Sequence, residues 1–329
     1  MNITILCNAH SWGGGERSIA YISQLLMESG HDVTIKPTQG FKKEFKIPQG
    51  VKLVQSFILN PQIPVGECDV LLIYANEILH YTASTRAQWD YILSGKYRKI
   101  CCINHEIGKG HEDWFVSKID KFLFLSSSRR LQFLNAISLE GKETKVLAPA
   151  VDLEPFLKIT PNYKENLRFI RITNQRFKWD MEDTLETFKA LSLRHPEAYF
   201  LFMGTPQPIR NQFWDNDRFH MLRNFEVPNY QFLRMGNLFH YMTPAKYEDQ
   251  GPRVIVEAMA SAIPVVAQKR GGAADRITEK TGWFVKDQND LLNTVLHISP
   301  KVLEEKGQAA RKRAVRYFDA RKWVEQITE

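Results

Sequence analysis

Two carboxylates eight residues apart mark the stretch Tyr247-Glu248-Asp249-Gln250-Gly251-Pro252-Arg253-Val254-Ile255-Val256-Glu257-Ala258-Met259-Ala260. Pro252 suits the first turn of a helix running to about Ala262, so Asp249 and Glu257 bracket one helix N-terminus. The amides there have no intrahelical partners, and with the helix dipole they suit a diphosphate. Glu257 sits among apolar and small side chains. An ionised carboxylate in such a place needs hydrogen-bond donors, because burying it alone is costly, and two sugar hydroxyls would supply them. Taken singly, Asp249 could be a helix cap and Glu257 a salt-bridge partner. A second candidate phosphate site is Gly13-Gly14-Gly15-Glu16, three glycines leading from a short apolar run into a helix. Gly14, Gly15 and Glu16 would let an anion approach the helix start without Cβ obstruction. The spacing is neither G-x-G-x-x-G nor a P-loop.

The elements that must position these residues are those of a parallel α/β protein. Short apolar runs alternate with longer amphipathic stretches. Strands are expected at Ile3–Cys7, Val33–Lys36, Val70–Tyr74, Ile100–Asn104 and Phe122–Leu125, then at Leu167–Ile172, Tyr199–Met203, Tyr230–Leu233, Pro264–Ala267 and Gly282–Val285. Leu71-Leu72-Ile73-Tyr74 is apolar at consecutive positions, as a strand covered on both faces requires. A helix is expected from about Glu16 to Ser29, closed by Gly30 as a left-handed cap. The chain has 329 residues, too many for one ordinary core and suited to two domains of about 150 residues. A boundary fits Ala148-Pro149-Ala150-Val151-Asp152. This gives a first domain over 1–150, a second over 151–310, and a C-terminal helical segment over 311–329 that crosses back to the first domain.

Composition narrows the function classes. Hydrophobic residues make up 43% and charged ones 25%, which excludes a disordered or fibrous chain. No apolar run reaches the ~20 residues of a membrane span. Cys7, Cys68, Cys101 and Cys102 lack metal-binding spacing and read as reduced thiols, so a cytoplasmic chain without disulfides or structural zinc is expected. The net charge of +7 is spread along the chain. It favours an anionic partner without forming a basic arm.

The stretch from Tyr247 to Val285 resembles the donor-binding signature of retaining, nucleotide-sugar-dependent glycosyltransferases of family four, which have the GT-B fold. Asp249 stands at the first Glu of that signature and Glu257 at the second. Ala258-Met259-Ala260, Pro264-Val265-Val266-Ala267 and Arg270-Gly271-Gly272-Ala273-Ala274-Asp275 follow in order. Weaker matches at Gly14-Gly15-Glu16, His105, Ala148–Asp152, Lys178 and Thr281–Val285 extend the likeness over most of the chain. It implies two Rossmann-like, doubly wound domains facing a cleft, the first binding the acceptor and the second the donor. It also implies that Glu257 holds the ribose hydroxyls, that Asp249 contacts the transferred sugar, and that His105 touches that sugar. Lys178 and an arginine would hold the diphosphate. Arg176 is favoured over Arg171, which falls within a strand. Gln250, Gly251, Pro252 and Arg253 would line the donor. Asp in place of Glu, and Gln-Gly-Pro in place of Gly-Phe-Gly, depart from the pattern and would fit a smaller or differently oriented sugar such as a pentose.

The implied activity is metal-independent transfer of a hexose or pentose, with retained configuration, from a nucleotide diphosphate-sugar to an acceptor hydroxyl. The donor, UDP-linked, is a substrate, and no cofactor is called for. The acceptor is either a lipid-linked or envelope saccharide, with Lys42, Lys43 and Lys46 touching an anionic membrane surface, or a hydroxylated base in nucleic acid stacked on Trp12, Trp89 or Trp114. Alternative readings are a non-catalytic nucleotide-sugar or DNA-binding module and a nucleotide-sugar epimerase.

Overall fold

The computed structural model describes residues 1–7, 13–37, 46–54, 67–74, 83–104, 113–164, 166–173, 176–179 and 181–329. The chain forms two compact units, Met1–Val151 with Ala320–Glu329, and Asp152–Asp319.

In the first unit the chain runs β1 (Asn2–Cys7), α1 (Gly14–Glu28), β2 (Asp32–Pro37), β3 (Lys52–Leu53), β4 (Cys68–Tyr74), α2 (Ala83–Leu93), β5 (Tyr97–Asn104), α3 (Asp113–Lys118), β6 (Lys121–Phe124), α4 (Ser127–Ala136) and β7 (Glu143–Val146). The strands form one parallel sheet in the order β3-β2-β1-β4-β5-β6-β7. The consecutive apolar residues of β4 serve two cores. Val70 and Leu72 pack with Ile19, Ile22 and Leu26 of α1, while Leu71 and Ile73 pack with Trp89, Phe115 and Phe133 on the other face. α1 ends as its sequence requires, with Gly30 at φ +83° donating to Met27 O.

The second unit runs α5 (Glu154–Leu157), β8 (Arg168–Ile172), a 3₁₀ turn (Arg176–Lys178), α6 (Met181–Arg194), β9 (Tyr199–Met203), α7 (Gln207–Phe213), β10 (Phe219–Leu222), α8 (Asn229–Leu233), β11 (Leu238–Tyr241), α9 (Arg253–Ala260), β12 (Val265–Ala267), α10 (Gly271–Arg276), β13 (Gly282–Phe284), α11 (Gln288–Leu296) and α12 (Pro300–Tyr317). Its sheet, also parallel, has the order β10-β9-β8-β11-β12-β13. Both sheets are therefore doubly wound, with strand order reversing between β1 and β4 in one and between β8 and β11 in the other. Ligands of such sheets bind at the carboxyl ends of the strands flanking the reversal.

Four strands escape the apolar-run reading: β3, β7, β10 and β11. Tyr230–Leu233, expected as a strand, lies in helix α8. Its four residues are too few to show a helical period, and Pro228 at the N-cap starts a helix. The C-terminal helical region is two helices. α12 runs unbroken to Tyr317, and only α13 (Arg321–Thr328) belongs to the first unit. The return to that unit thus falls at Ala320 rather than at 311. Trp323 and Ile327 join the α1 core, and Trp323 Nε1 donates to Ala148 O at 2.8 Å. No helix among the described residues is long and apolar enough to cross a membrane.

The second core is built largely of phenylalanine. Phe200 stacks on Phe169 (5.3 Å between centroids) and Phe219 (4.6 Å), and Phe188 meets it edge-on at 5.5 Å. Phe200→Ala is expected to cost about 3–5 kcal/mol, read as a lower urea midpoint with unchanged m-value.

Candidate active site

The reversal between β8 and β11 brings together residues 71 positions apart in sequence. After β8 the chain makes the 3₁₀ turn that carries Lys178. After β11 it makes the loop that carries Asp249. Lys178 Nζ lies 2.5 Å from Asp249 Oδ2. Tyr241, the last residue of β11, donates its hydroxyl to the same oxygen, and Gly251 N donates to Oδ1 at 3.1 Å. Both side chains of the ion pair are largely buried, 18% and 10% exposed. Burial alone would push the Asp249 carboxyl up, but Lys178, Tyr241 and the Gly251 amide outweigh it and hold the group below its ordinary value. Tyr241 is driven well above its ordinary value, first by burial and then by the Asp249 charge, so its hydroxyl stays a donor.

These directions fix a pH dependence. A carboxylate whose folded value is depressed adds stability above its unfolded value, and this is lost as pH falls through the folded value. The stability advantage of the wild type over Asp249→Asn is expected to hold from about pH 7 to about pH 5 and to shrink below about pH 4. Urea midpoints of the two proteins across that range measure it.

Beneath Lys178 lies Arg171, on β8 and wholly buried. Its Nη2 donates to Lys178 O at 2.8 Å, its Nη1 lies 3.2 Å from His240 Nδ1, and its guanidinium covers the Trp179 ring at 4.3 Å. Burial lowers its pKa to about 10, which leaves it charged at neutral pH. A guanidinium can only donate, so His240 Nδ1 accepts. Burial and then the Arg171 charge hold that ring well below its usual pKa. The neutral ring therefore carries its proton on Nε2. Arg171 supports the turn that presents Lys178; it does not reach the surface itself. The Arg176 side chain lies outside the described residues, although its backbone belongs to the same turn.

The helix expected after Gln250 is present as α9, with Pro252 as its N-cap and no side-chain cap. It stops at Ala260, two residues short of the expected end, because Ala262 turns the chain left-handed at φ 59°. Glu257 is fully buried on α9. Asn229 Nδ2 donates to its Oε2 at 2.6 Å, and Arg253 Nε lies 3.6 Å from Oε1 one helical turn earlier. Protein donors thus meet this carboxylate. Gln250 is buried with its amide on Glu248 O at 3.2 Å.

The other sequence-predicted residues lie elsewhere. Gly14, Gly15 and Glu16 form the first turn of α1, in the first unit at its own strand reversal. A Cβ on Gly15 would lie 2.7 Å from the Tyr74 hydroxyl, so close packing on β4 accounts for that glycine. His105, Trp12, Lys42 and Lys43 lie outside the described residues. Lys46 is exposed. Trp89 is 3% exposed inside the first unit's core and is unavailable for stacking on a base, contrary to expectation. A polar cavity of about 410 Å³ opens among α6, α11 and the ends of β11–β13; its lining includes His240 and Thr243 but none of Lys178, Asp249 and Glu257. Sequence reasoning missed Tyr241 and Asn229, and weighed Arg171 only as a ligand of the diphosphate rather than as the support beneath Lys178. Tyr241 left no signal because its strand, β11, left none.

Comparison with known proteins bears on the fold and on the sequence of the second unit. A sequence family described as "Glycosyl transferases group 1" matches residues 171–299, which hold both Lys178 and the Asp249–Glu257 segment. No curated protein sequence matches the chain. Among solved structures, HepE from Anabaena in complex with UDP and glucose superposes with a TM-score of 0.74 at 16% identity, covering 100% of this chain and 98% of that one. A glycosyltransferase from Rickettsia africae gives 0.72 at 15% identity over 99% and 96%. Sucrose-phosphate synthase from Thermosynechococcus elongatus gives 0.71 at 15% over 100% and 97%. The chain has the GT-B fold along its whole length, and its second unit carries the sequence pattern of the group 1 glycosyl transferases.

Proposed function

We propose that this protein is a glycosyltransferase that cleaves a nucleotide diphosphate-sugar, UDP-linked, and passes the sugar with retained configuration to an acceptor hydroxyl. The observation that carries the reading is the Lys178–Asp249 pair at the β8/β11 reversal, within the segment that matches the group 1 family. Departure of a nucleoside diphosphate develops charge on phosphate oxygens. Lys178, held by Arg171 from below, is a preorganised cation for that charge, and the start of α9 adds the positive end of a helix dipole. Asp249 is kept ionised to orient the sugar. Glu257 reads the ribose, with Asn229 and Arg253 sharing it with the nucleotide. The leaving phosphate takes the acceptor proton, so no strong protein base is needed. His105 and the α1 start (Gly14, Gly15, Glu16) complete the assignment as sugar- and phosphate-contacting residues.

For the acceptor we favour a saccharide, lipid-linked or free, over a base in nucleic acid, since Trp89 is buried in the core and Trp114 packs edge-on against Phe115 with Arg86 over its ring. The deciding experiment incubates the protein with a panel of nucleotide-sugars, with and without EDTA, and follows slow hydrolysis by mass spectrometry. UDP release from one sugar at equal rates with and without chelator is expected. Absence of both hydrolysis and nucleotide binding across the panel overturns the reading. Adding oligosaccharides, anionic vesicles or hydroxymethylated DNA then tests the acceptor. Transfer to DNA reverses the acceptor choice.

A further inference from the structure

Three consecutive residues of the loop that bears Asp249 are held by α10. Gly271 N donates to Glu248 Oε1 at 2.7 Å, and Gly272 N donates to Asp249 O at 2.8 Å. Arg276 Nη1 reaches Gln250 O at 3.5 Å and also bonds Gly272 O. The approach depends on both glycines. A Cβ on Gly271, which sits at φ +49°, would lie 2.4 Å from Asp249 O. One on Gly272 would lie 1.9 Å from Arg276 Nη1 and 2.3 Å from Gln250 O. Arg276 is 1% exposed. At the far end of α10, Arg313 of α12 donates to Arg276 O (2.7 Å) and Asp275 O (2.9 Å), so the short helix is pinned at both ends. A buried cation is an expensive way to fill space, because its charge has to be met by hydrogen-bond acceptors. Here the guanidinium does what an apolar side chain cannot, which is to donate to the loop backbone from beneath.

We propose that Arg276 is a positioning residue for Asp249. It acts through the Gln250 carbonyl and, by way of Gly272, through the Asp249 carbonyl to keep the carboxylate on Lys178, without itself touching substrate. This rests on the glycosyl-transfer reading above and extends it to a residue outside the donor-contacting set.

The test is a double-mutant cycle on hydrolysis of whichever nucleotide-sugar the wild type turns over in the panel. Arg276→Met is expected to lower kcat about 100-fold, the scale of an ångström-sized misplacement. Affinity for UDP, by calorimetry at a temperature where both proteins are folded, is expected to stay within about twofold. Because the arginine acts through Asp249, the double variant Arg276→Met/Asp249→Asn is expected to be no slower than Asp249→Asn alone. Should the Met variant fail to fold, Arg276→Lys goes through the same cycle. Losses that multiply in the double variant, a kcat unchanged by Arg276→Met, or a parallel loss of UDP affinity each overturn the proposal. A wild type that turns over no nucleotide-sugar removes the functional reading and this proposal together, whereas an active wild type with multiplying losses removes only the latter.

Discussion

Lys178→Ala is expected to slow sugar transfer by about 10²–10³-fold, the cost of deleting one preorganised stabiliser of developing charge. The loss should fall on kcat more than on KM, because the cation matters most once the phosphate is departing. The same substitution strands the Asp249 carboxylate in a largely buried site where, among the described residues, Tyr241 and the Gly251 amide remain to meet it. A stability loss of up to about 3–5 kcal/mol is therefore expected as well. The two effects separate in Lys178→Ala/Asp249→Asn. Removing the stranded charge should restore much of the Tm but none of the turnover. Recovery of turnover with stability would show that Lys178 serves folding alone.

Glu257 carries the second large expectation. Glu257→Gln keeps the side chain's shape and an acceptor for Asn229, but removes the charge that faces Arg253. Hydrogen bonds to a charged group are worth about 1.5–3 kcal/mol, so UDP affinity is expected to fall roughly 10- to 100-fold. The chemical step on bound donor should change far less. Calorimetric titration with UDP measures the first quantity and single-turnover hydrolysis the second. A UDP affinity equal to wild type would leave Glu257 as a purely internal partner of Asn229 and Arg253, and the ribose assignment would be wrong.

How far the sequence speaks depends on which physical signal each residue leaves. Strands buried on both faces, such as β1, β4 and β9, announce themselves by consecutive apolar residues, Ile5-Leu6-Cys7, Val70–Tyr74 and Tyr199–Met203. Those that escaped lack that mark. β7 reads Glu-Thr-Lys-Val and is half exposed, β10 and β11 each contain a histidine, and β3 is two residues long. The Asp249–Glu257 spacing was visible because a loop and the helix it leads into are neighbours in sequence, with Asp249 just before α9 and Glu257 on it. The partners of those carboxylates were not visible. Asn229 lies 28 positions from Glu257, and Lys178 lies 71 from Asp249. Only the strand order joins them. Arg171 looked misplaced within an apolar strand. Its burial with His240, Trp179 and a backbone carbonyl resolves the conflict between a charged side chain and a covered sheet.

The closing helix of the first unit has a bearing on how the protein is made. α13 supplies Trp323 and Ile327 to a core otherwise built from the opening 150 residues. On the ribosome that N-terminal half must wait, with part of its apolar surface uncovered, until the intervening Asp152–Asp319 unit has emerged and the last helix follows it. A nascent chain stalled shortly before Ala320 should consequently be an open template for chaperones, however well its second half has already folded.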